Sequence, residues 1–425
     1  MSRESDSSQP RGRAVWPIAL GIGVIAIGAG ALALSGTFSG TPTANGSTSA
    51  TPSPSTTPAT EPPESPTPAA SADDDVLAGL EFDALQEVHL DELRDFIAWL
   101  DEHDAEGFVG EVGWDNAGDA EWTTLGEYWY LLAEQEGLWT TGWAAGTAWP
   151  LDYRLLIYGE AGSGSLDTGS PQGDIIERLE AERTGDSPAR HGVNVAGLDF
   201  GTNEDFSNVN LGELGGKFQA EPLESYAWLA DRGIDLVRLP VRWERLQPEL
   251  DGPLDADHVA LVTAQLDAAA AAGIDVILDL HNYGSYVTQW GASLVGSEWL
   301  TTQQFTDFWL DLADTWGEHP AIAGWGLMNE PNNLGAEDAG SPALLWERVS
   351  QEAVTALREA GDEHLILVAG YDWSSLAKWR SNHPTGWISD PADNFRYEAH
   401  HYWDSFGAGS YDLSYAEELA ALTGG

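Results

Sequence analysis

The sequence predicts an α/β fold, a (β/α)8 TIM barrel, and three observations support this prediction. Short apolar runs alternate with longer segments of helical period, and strands that alternate with helices pair in parallel through crossovers. Eight such runs fit the usual size of these barrels. Nearly every run ends in polar or aromatic side chains, as barrel enzymes require. A doubly wound open sheet is the alternative, but no Gly-rich phosphate loop opening a helix supports it.

The eight predicted strands are, in chain order, GFVGEVG, LWTTGWAAG, HGVNVAG, LVRLPV, DVILDLHNYG, GWGLMNE, LILVAG and YEAHHYW (residues 107–113, 138–146, 191–197, 236–241, 275–284, 324–330, 365–370 and 397–403). Between them, apolar residues at helical spacing predict helices, most clearly at residues 89–104, 255–273, 303–320 and 342–361.

The N-terminal 75 residues differ in composition from the rest of the chain. Residues 14–34 form an uncharged apolar run after Arg11 and Arg13, and about 20 such residues can cross a bilayer. We therefore interpret residues 1–34 as a signal peptide or an N-terminal membrane anchor. Residues 35–75 are rich in Pro, Thr and Ser, which predicts a disordered linker. Both interpretations place the barrel, residues 76–425, outside the cell, either secreted or anchored to the cell membrane.

Charge and cysteine content narrow the classes of function. The formal net charge is −51, from 69 acidic and 18 basic residues. Such a surface repels nucleic acid and disfavours a polyanionic substrate, whereas a neutral ligand is unaffected. The acidity fits either life in high salt, where screening removes self-repulsion, or simple solubility. The absence of cysteine excludes disulfides, thiolate nucleophiles and cysteine metal sites.

Candidate functional residues cluster at the ends of six predicted strands. Taken singly, each has a structural explanation: Arg238 could be a salt-bridged core residue and His281 a buried histidine. Together they predict a site on the loop face, where barrel enzymes hold their chemistry. The candidates are Glu111, Trp143, Arg238, His281, Asn329, Glu330, His400 and Tyr402.

Two carboxyl groups among these residues indicate acid-assisted cleavage of a glycosidic bond. One carboxyl group must donate a proton to the leaving oxygen, and the other must be ionised to attack the anomeric carbon. Twenty tryptophans fit sugar recognition, since indole faces stack on the apolar faces of sugar rings. Those that we expect near the loop face are Trp143, Trp243, Trp290, Trp373 and Trp403.

Six motifs make the chain resemble glycoside hydrolase family 5, a family of retaining cellulases, mannanases and relatives. They are RLPV, DLHNYG, GLMNEP, EAHHYWD, GEVGW and GWAAG. The resemblance implies that Glu330 is the general acid/base and Glu111 the nucleophile. It implies that Arg238 and Tyr402 support Glu111 and that Asn329 binds the sugar 2-hydroxyl. It further implies that His281 and His400 line the cleft and that Trp143 forms the floor beneath the cleaved bond.

The order of the motifs departs from the family. The strands carrying Glu111 and Trp143 come last in the family but first in this chain. We therefore predict a circular permutation in which family strands 7 and 8 precede strands 1–6. Strand neighbours in space are preserved when a chain is cut at an exposed connection and rejoined elsewhere. A fusion of two partial copies is the competing account.

The resulting hypothesis is a retaining endo-β-1,4-glucanase that acts on a neutral polysaccharide such as cellulose or a related β-glucan. The alternatives are a β-mannanase, an exo-β-glucosidase, a glycolipid-cleaving relative and a catalytically inactive glycan-binding barrel. We expect no metal or organic cofactor, although His281, His400 and His401 could in principle bind zinc. We also expect no nucleic-acid partner, possible membrane attachment through residues 14–34, and a monomer.

Overall fold

The computed structural model describes residues 76–185, 187–203, 205–335 and 339–424. The predicted signal peptide or anchor and the predicted linker therefore lie outside the described residues. Within the described ranges, no helix combines the length and the apolar character needed to cross a membrane.

Eight parallel strands close into a barrel, which confirms the predicted fold class. Each of the eight predicted apolar runs supplies one strand. The barrel strands are β1 (Gly107–Gly113), β2 (Trp139–Ala145), β3 (His191–Val195), β4 (Leu236–Val241), β5 (Asp275–Leu280), β8 (Ile322–Gly326), β9 (Leu365–Ala369) and β10 (Phe395–Tyr402). A separate antiparallel hairpin follows β5 and consists of β6 (Ser285–Thr288) and β7 (Gly291–Leu294).

The order of strands around the barrel follows their order along the chain, as in other (β/α)8 barrels. It runs β1, β10, β9, β8, β5, β4, β3, β2 and returns to β1. The first strand thus pairs with the last one, and β2 pairs with β3. Two strands from the front of the chain therefore stand between β10 and β3 and complete the ring.

Helices connect the strands and cover the barrel. The main ones are α1 (Ala84–Glu102), α2 (Ala120–Gln135), α3 (Pro171–Glu182), α4 (Glu224–Ala230), α5 (Trp243–Leu246), α6 (Ala256–Ala272), α7 (Thr302–Trp316), α8 (Pro342–Glu359), α9 (Trp379–Asn382) and α10 (Tyr415–Thr423). Sequence-local signals start several of them. Asp83 with Gln86 and Ser414 with Glu417 form capping boxes, which satisfy backbone amides that have no partner inside the helix.

The two ends of the barrel domain pack against each other. Helix α10 lies beside α1, and the Tyr415 hydroxyl donates to Asp83 Oδ2 at 2.8 Å. The ring of Tyr415 also meets Trp122 edge-to-face at 4.8 Å. The first and last helices are therefore held together on the side of the barrel where β1 meets β10.

Two tryptophans proposed as sugar platforms belong to the core instead. Trp243 stacks on Phe308 with ring centroids 4.7 Å apart, and Trp403 stacks on Trp114 at 5.0 Å. Both Trp243 and Trp403 are fully buried. The prediction relied on their position near strand ends. A residue at the loop end of a strand can still be buried by the neighbouring helices.

Candidate active site

Parallel register brings the two proposed catalytic strands together. Glu111 of β1 stands opposite His400 of β10. Glu330 follows β8 and reaches the same histidine, with His400 Nδ1 2.9 Å from Glu330 Oε1. Donor atoms of Glu111, Glu330 and His400 all lie within 4.8 Å of one another. The two carboxyl groups, separated by more than 200 residues of chain, therefore face each other across a single site.

Glu111 is held by side chains from two other strands. Its side chain is buried, and the residue is 4% exposed. The Tyr402 hydroxyl donates to Glu111 Oε2 at 2.6 Å, and Arg238 Nη1 donates to Glu111 Oε1 at 3.3 Å. Each carboxylate oxygen thus accepts a bond from a different side chain, which locks the carboxyl group in one orientation.

Arg238 is the centre of the polar network inside the barrel. The residue has no exposed surface, so each guanidinium nitrogen needs a partner from the protein. Four side chains accept hydrogen bonds from its two Nη atoms: Asn194 (2.9 Å), Glu111 (3.3 Å), Asp279 (2.8 Å) and Asn329 (2.7 Å). Glu398 forms an ion pair with its Nε at 3.0 Å. These partners come from different strands, so the arginine ties the barrel wall together beneath the site.

Glu330 occupies a less buried position with an unusual backbone. Its φ angle is +44°, and Tyr283 and Trp373 nearby also have positive φ, at +56° and +65°. Left-handed backbone is costly for residues other than glycine and tends to cluster at functional sites. The carboxyl group of Glu330 is 14% exposed, against 6% for Glu111.

Asn329, His281 and Trp143 form one connected wall. Asn329 Oδ1 accepts from Arg238, while its Nδ2 lies 3.3 Å from His281 Nε2. His281 Nδ1 lies 2.8 Å from Asp279 Oδ2, and a carboxylate can only accept, so the ring proton belongs on Nδ1. Trp143 stacks on the His281 ring at 5.4 Å and 11°. All eight predicted site residues are therefore linked in one contiguous network.

The site also contains three residues that the sequence analysis did not single out. Asp279 and Glu398 are buried carboxylates within strands, and Asn194 lies between Arg238 and the backbone of β1. The sequence did contain a signal for the two carboxylates, because each is a charged residue inside an apolar strand. A buried charge needs a partner, so such a residue is a candidate for a polar network. Gly110 belongs to the same arrangement, because a Cβ there would lie 1.9 Å from Glu398 Oε1.

Burial and charge shift the titration of the central groups. Burial raises the pKa of Glu111, and the neighbouring Glu330 adds to the rise, while His400 and Arg238 oppose it. For His400, burial acts to lower the pKa, but Glu111 and hydrogen bonds to Glu330 and Glu398 raise it to about 10. His400 is thus an imidazolium at neutral pH. Its charge favours the ionised form of Glu111.

Among the residues that the structure describes, two groups of side chains could hold a metal ion. One is Glu111, Glu330 and His400, and the other is His89, Glu92 and His401. In the second group, Trp129 Nε1 donates to His401 Nδ1 at 3.0 Å, and burial lowers the pKa of His401. A neutral His401 must then carry its proton on Nε2, 2.9 Å from Glu92 Oε2. The atom that would bind an ion is occupied by that proton, which favours a hydrogen-bond network.

An open cavity of about 460 Å³ adjoins the site. Glu330, His400 and Tyr402 line it, together with Trp373, which is 42% exposed. Of the five tryptophans proposed near the loop face, Trp290 is also exposed, on the turn between β6 and β7. A substrate can therefore approach Glu330 from solvent.

Comparison with known proteins identifies the family. The sequence profile described as Cellulase (glycosyl hydrolase family 5) matches residues 202–422, just over half of the chain. The manganese dependent endoglucanase Eg5A of Phanerodontia chrysosporium is 28% identical over 236 residues, covering 53% of this chain and 55% of the relative. Endoglucanase EG-II of Hypocrea jecorina is 28% identical over 243 residues, covering 52% and 54%.

A solved structure of Pseudomonas stutzeri endoglucanase Cel5A is 35% identical to this chain, with a TM-score of 0.47. The match covers 54% of this chain and 65% of that one. The chain spans about half the length of the curated relatives it matches.

Proposed function

Since the chain belongs to glycosyl hydrolase family 5, we propose that it is a retaining endo-β-1,4-glucanase that hydrolyses a neutral β-glucan by double displacement. Glu111 is the nucleophile and Glu330 the general acid/base. The curated relatives named above are endoglucanases, which favours β-glucan over mannan. The acidic character of the chain suits an uncharged polysaccharide.

One observation carries the mechanism. Carboxylate oxygens of Glu111 and Glu330 lie within 4.8 Å of each other. Retaining glycosidases hold their two carboxyl groups about 5–5.5 Å apart, whereas inverting enzymes leave about 6.5–9.5 Å for a water molecule. The short separation supports attack by a carboxylate.

The proposed reaction has two balanced steps. In the first, a Glu111 carboxylate oxygen bonds to the anomeric carbon while the bond to the glycosidic oxygen breaks, and Glu330 gives its proton to that oxygen. In the second, Glu330 takes a proton from water as the water oxygen attacks the anomeric carbon, and Glu111 leaves as a carboxylate. Tyr402 and Arg238 orient Glu111 through both steps.

The division of roles follows from position. Glu330 lines the open cavity, where a leaving group can reach its proton. Glu111 is more deeply buried and is oriented by two donors, as a nucleophile must be for attack on one carbon.

We also propose that the chain is circularly permuted relative to its family. The order of the motifs along the chain supports this, and β1 pairs with β10, where the seventh strand of the family would follow its sixth. The matched region, residues 202–422, begins after β3, so Glu111 and Trp143 fall outside it. A rearranged protein in which residues 76–184 follow residues 190–424 should fold and keep its activity. An insoluble or inactive product from that arrangement, beside an active wild type, would count against permutation.

The function is tested by incubating the protein with carboxymethyl-cellulose, barley β-glucan and mannan and measuring new reducing ends. We expect activity on both glucans and little on mannan. Glu111→Gln and Glu330→Gln should each remove nearly all turnover, because each step requires both carboxyl groups. Faster cleavage of mannan than of the glucans would show that the proposed substrate is wrong and that the enzyme is a mannanase. A folded protein that cleaves none of the three would overturn the proposed reaction.

A further inference from the structure

The cavity beside Glu330 is larger than one reacting bond requires. At about 460 Å³ it falls within the range of small-molecule sites. It extends from Glu330 to the two terminal helices, where Val88 of α1 and Leu422 of α10 line it. The additional space is therefore bounded by the first and last elements of the barrel domain.

The cavity lies on one side of the proposed bond cleavage. Glu330 lines it, whereas Glu111 and Trp143 are not among its lining residues in the described part of the chain. A general acid sits beside the oxygen that leaves. On the proposed function, on which this inference rests, the cavity therefore receives the leaving portion of the polysaccharide.

Phe406 presents an aromatic ring to this space. It follows β10, lines the cavity and is 89% exposed. Two other exposed apolar side chains, Trp373 and Leu422, line the same cavity. Exposed apolar side chains gathered in one cavity mark a surface that binds a ligand. A sugar ring is such a ligand, since its C–H face packs against an aromatic face.

The loop that carries Phe406 is anchored at both sides. Asp404 accepts from the Gly409 amide at 2.8 Å and from the Ser410 hydroxyl at 3.0 Å. Glu418 of α10 accepts from the Ser405 amide at 3.1 Å. Asp404 and Glu418 are both buried. The ring is therefore presented from a preorganised loop, which reduces the entropy lost on binding.

Polar groups in the same cavity suit a sugar. Glu92 of α1 is bonded to His401, and Lys378 pairs with Asp372 at 2.8 Å. Both side chains also line the cavity, where the carboxylate can accept further hydrogen bonds from hydroxyl groups and the ammonium group can donate them. Aromatic surface combined with a few convergent polar groups is typical of sites for neutral, hydroxyl-rich ligands.

We propose that Phe406 forms a distal subsite for the leaving portion of the β-glucan chain. It stacks on a sugar ring beyond the cleaved bond, and Glu418 is a positioning residue that holds its loop. The subsite makes the enzyme prefer substrates whose leaving portion contains several sugar rings.

The test compares a long substrate with one whose leaving portion has no sugar. The measured quantity is the ratio of kcat/KM for cellohexaose to kcat/KM for nitrophenyl β-cellobioside. Phe406→Ala should lower this ratio by about fivefold to tenfold, the effect of losing one aromatic stacking contact. The products of cellohexaose should shift as well, because one binding register loses its anchor.

Phe395→Ala is a control for removing a phenyl ring elsewhere, since Phe395 is half-buried at the start of β10 and Phe406 follows the end of the same strand. It should leave the ratio unchanged, and melting temperatures of both variants check the fold. Glu418→Gln keeps the size of the side chain and should lower the ratio in the same direction by a smaller factor, about twofold to fivefold.

The outcomes separate this inference from the proposed function. If wild type cleaves both substrates and Phe406→Ala leaves the ratio unchanged, the subsite is wrong and the proposed reaction stands. If folded wild type cleaves neither substrate, the proposed function fails, and the subsite fails with it.

Discussion

The first two barrel strands and the six that follow contribute differently to the site. Strands β1 and β2 supply Glu111 and Trp143, and both residues precede the region that matches the family profile. Strands β3 to β10 and their loops supply Arg238, Glu330 and most of the other polar groups. Neither portion has both carboxyl groups. The comparison teaches that spatial pairing of strands builds this site, whatever their order along the chain.

The two portions also place their carboxyl groups in different surroundings. Glu111 lies deep in the barrel, with its oxygens bonded to Tyr402 and Arg238. Glu330 lies at the rim, bonded to His400 and open to the cavity. Each portion therefore provides the carboxyl group for one of the two proposed roles, nucleophile and general acid/base. The following predictions test that division.

Removing each carboxyl group should have the largest effect and should reveal its role. Glu111→Ala and Glu330→Ala should each lower kcat by about 10³-fold or more. Azide is a small nucleophile that can enter the space left by the lost side chain. With Glu111→Ala it should attack in place of the carboxylate and form the inverted α-glycosyl azide. With Glu330→Ala it should attack the glycosyl–enzyme and form the retained β-glycosyl azide.

The configuration of each azide product is read by NMR with an activated aryl glycoside as substrate. If Glu111→Ala gave the β-glycosyl azide and Glu330→Ala gave the α-glycosyl azide, the two assigned roles would be reversed. Wild-type rates in either variant would remove that residue from the mechanism.

Breaking the link between the two portions should destabilise the fold. Arg238→Met leaves the carboxylates of Glu111, Asp279 and Glu398 without their shared cation. Loss of one partner from a buried ion pair costs about 3–5 kcal/mol of the free energy of unfolding, measured by chemical denaturation. Arg94→Met is the control, because Arg94 pairs with Asp91 at the surface and such pairs contribute about 0–1 kcal/mol. Equal losses in both variants would contradict the role of Arg238.

Removing the tryptophan contributed by β2 should have a moderate effect. Trp143→Ala removes the ring that stacks on His281, and we expect kcat/KM on β-glucan to fall about tenfold. The matched control is Trp228→Ala, since Trp228 lies on α4 and packs against Tyr158 and Arg232. A similar fall in activity for both variants would indicate a general loss of packing.

Raising the pH should weaken the fold through His400, with the smallest of these effects. Its pKa is 6.5 ordinarily and about 10 in the folded protein, so the folded state binds this proton more tightly. The resulting stabilisation is complete below the lower value and is lost as pH rises through the higher one. Melting temperature should fall between neutral pH and pH 10 by at least about 2 °C, and less in His400→Asn. Identical pH profiles for the two proteins would contradict this role.

Much of the barrel was predictable because its signals are local. Apolar runs of strand length, helical spacing between them and helix-capping residues such as Asp83 all lie within a few positions of the element they define. The site candidates were predictable for a related reason, since polar groups at the carboxyl ends of parallel strands share one face of a barrel. Hence all eight candidates lie in one network.

Other features depended on side-chain direction and could not be predicted. Trp243 and Trp403 resemble Trp143 in sequence position, yet they are buried beneath the helices. The anchored loop that presents Phe406 depends on Glu418, which lies on the last helix. The number of residues between two such positions does not show whether their side chains meet in the folded protein.

The sequence by itself determined the strands, the helices between them and the residue types at the strand ends, because these follow from local periodicity and composition. Only the tertiary structure decided the strand register that places Glu111 opposite His400, and that Arg238 joins Glu111 to Asp279 and Glu398. The physical reason is that ring closure and parallel register are set by packing around the whole barrel. No single segment contains that information.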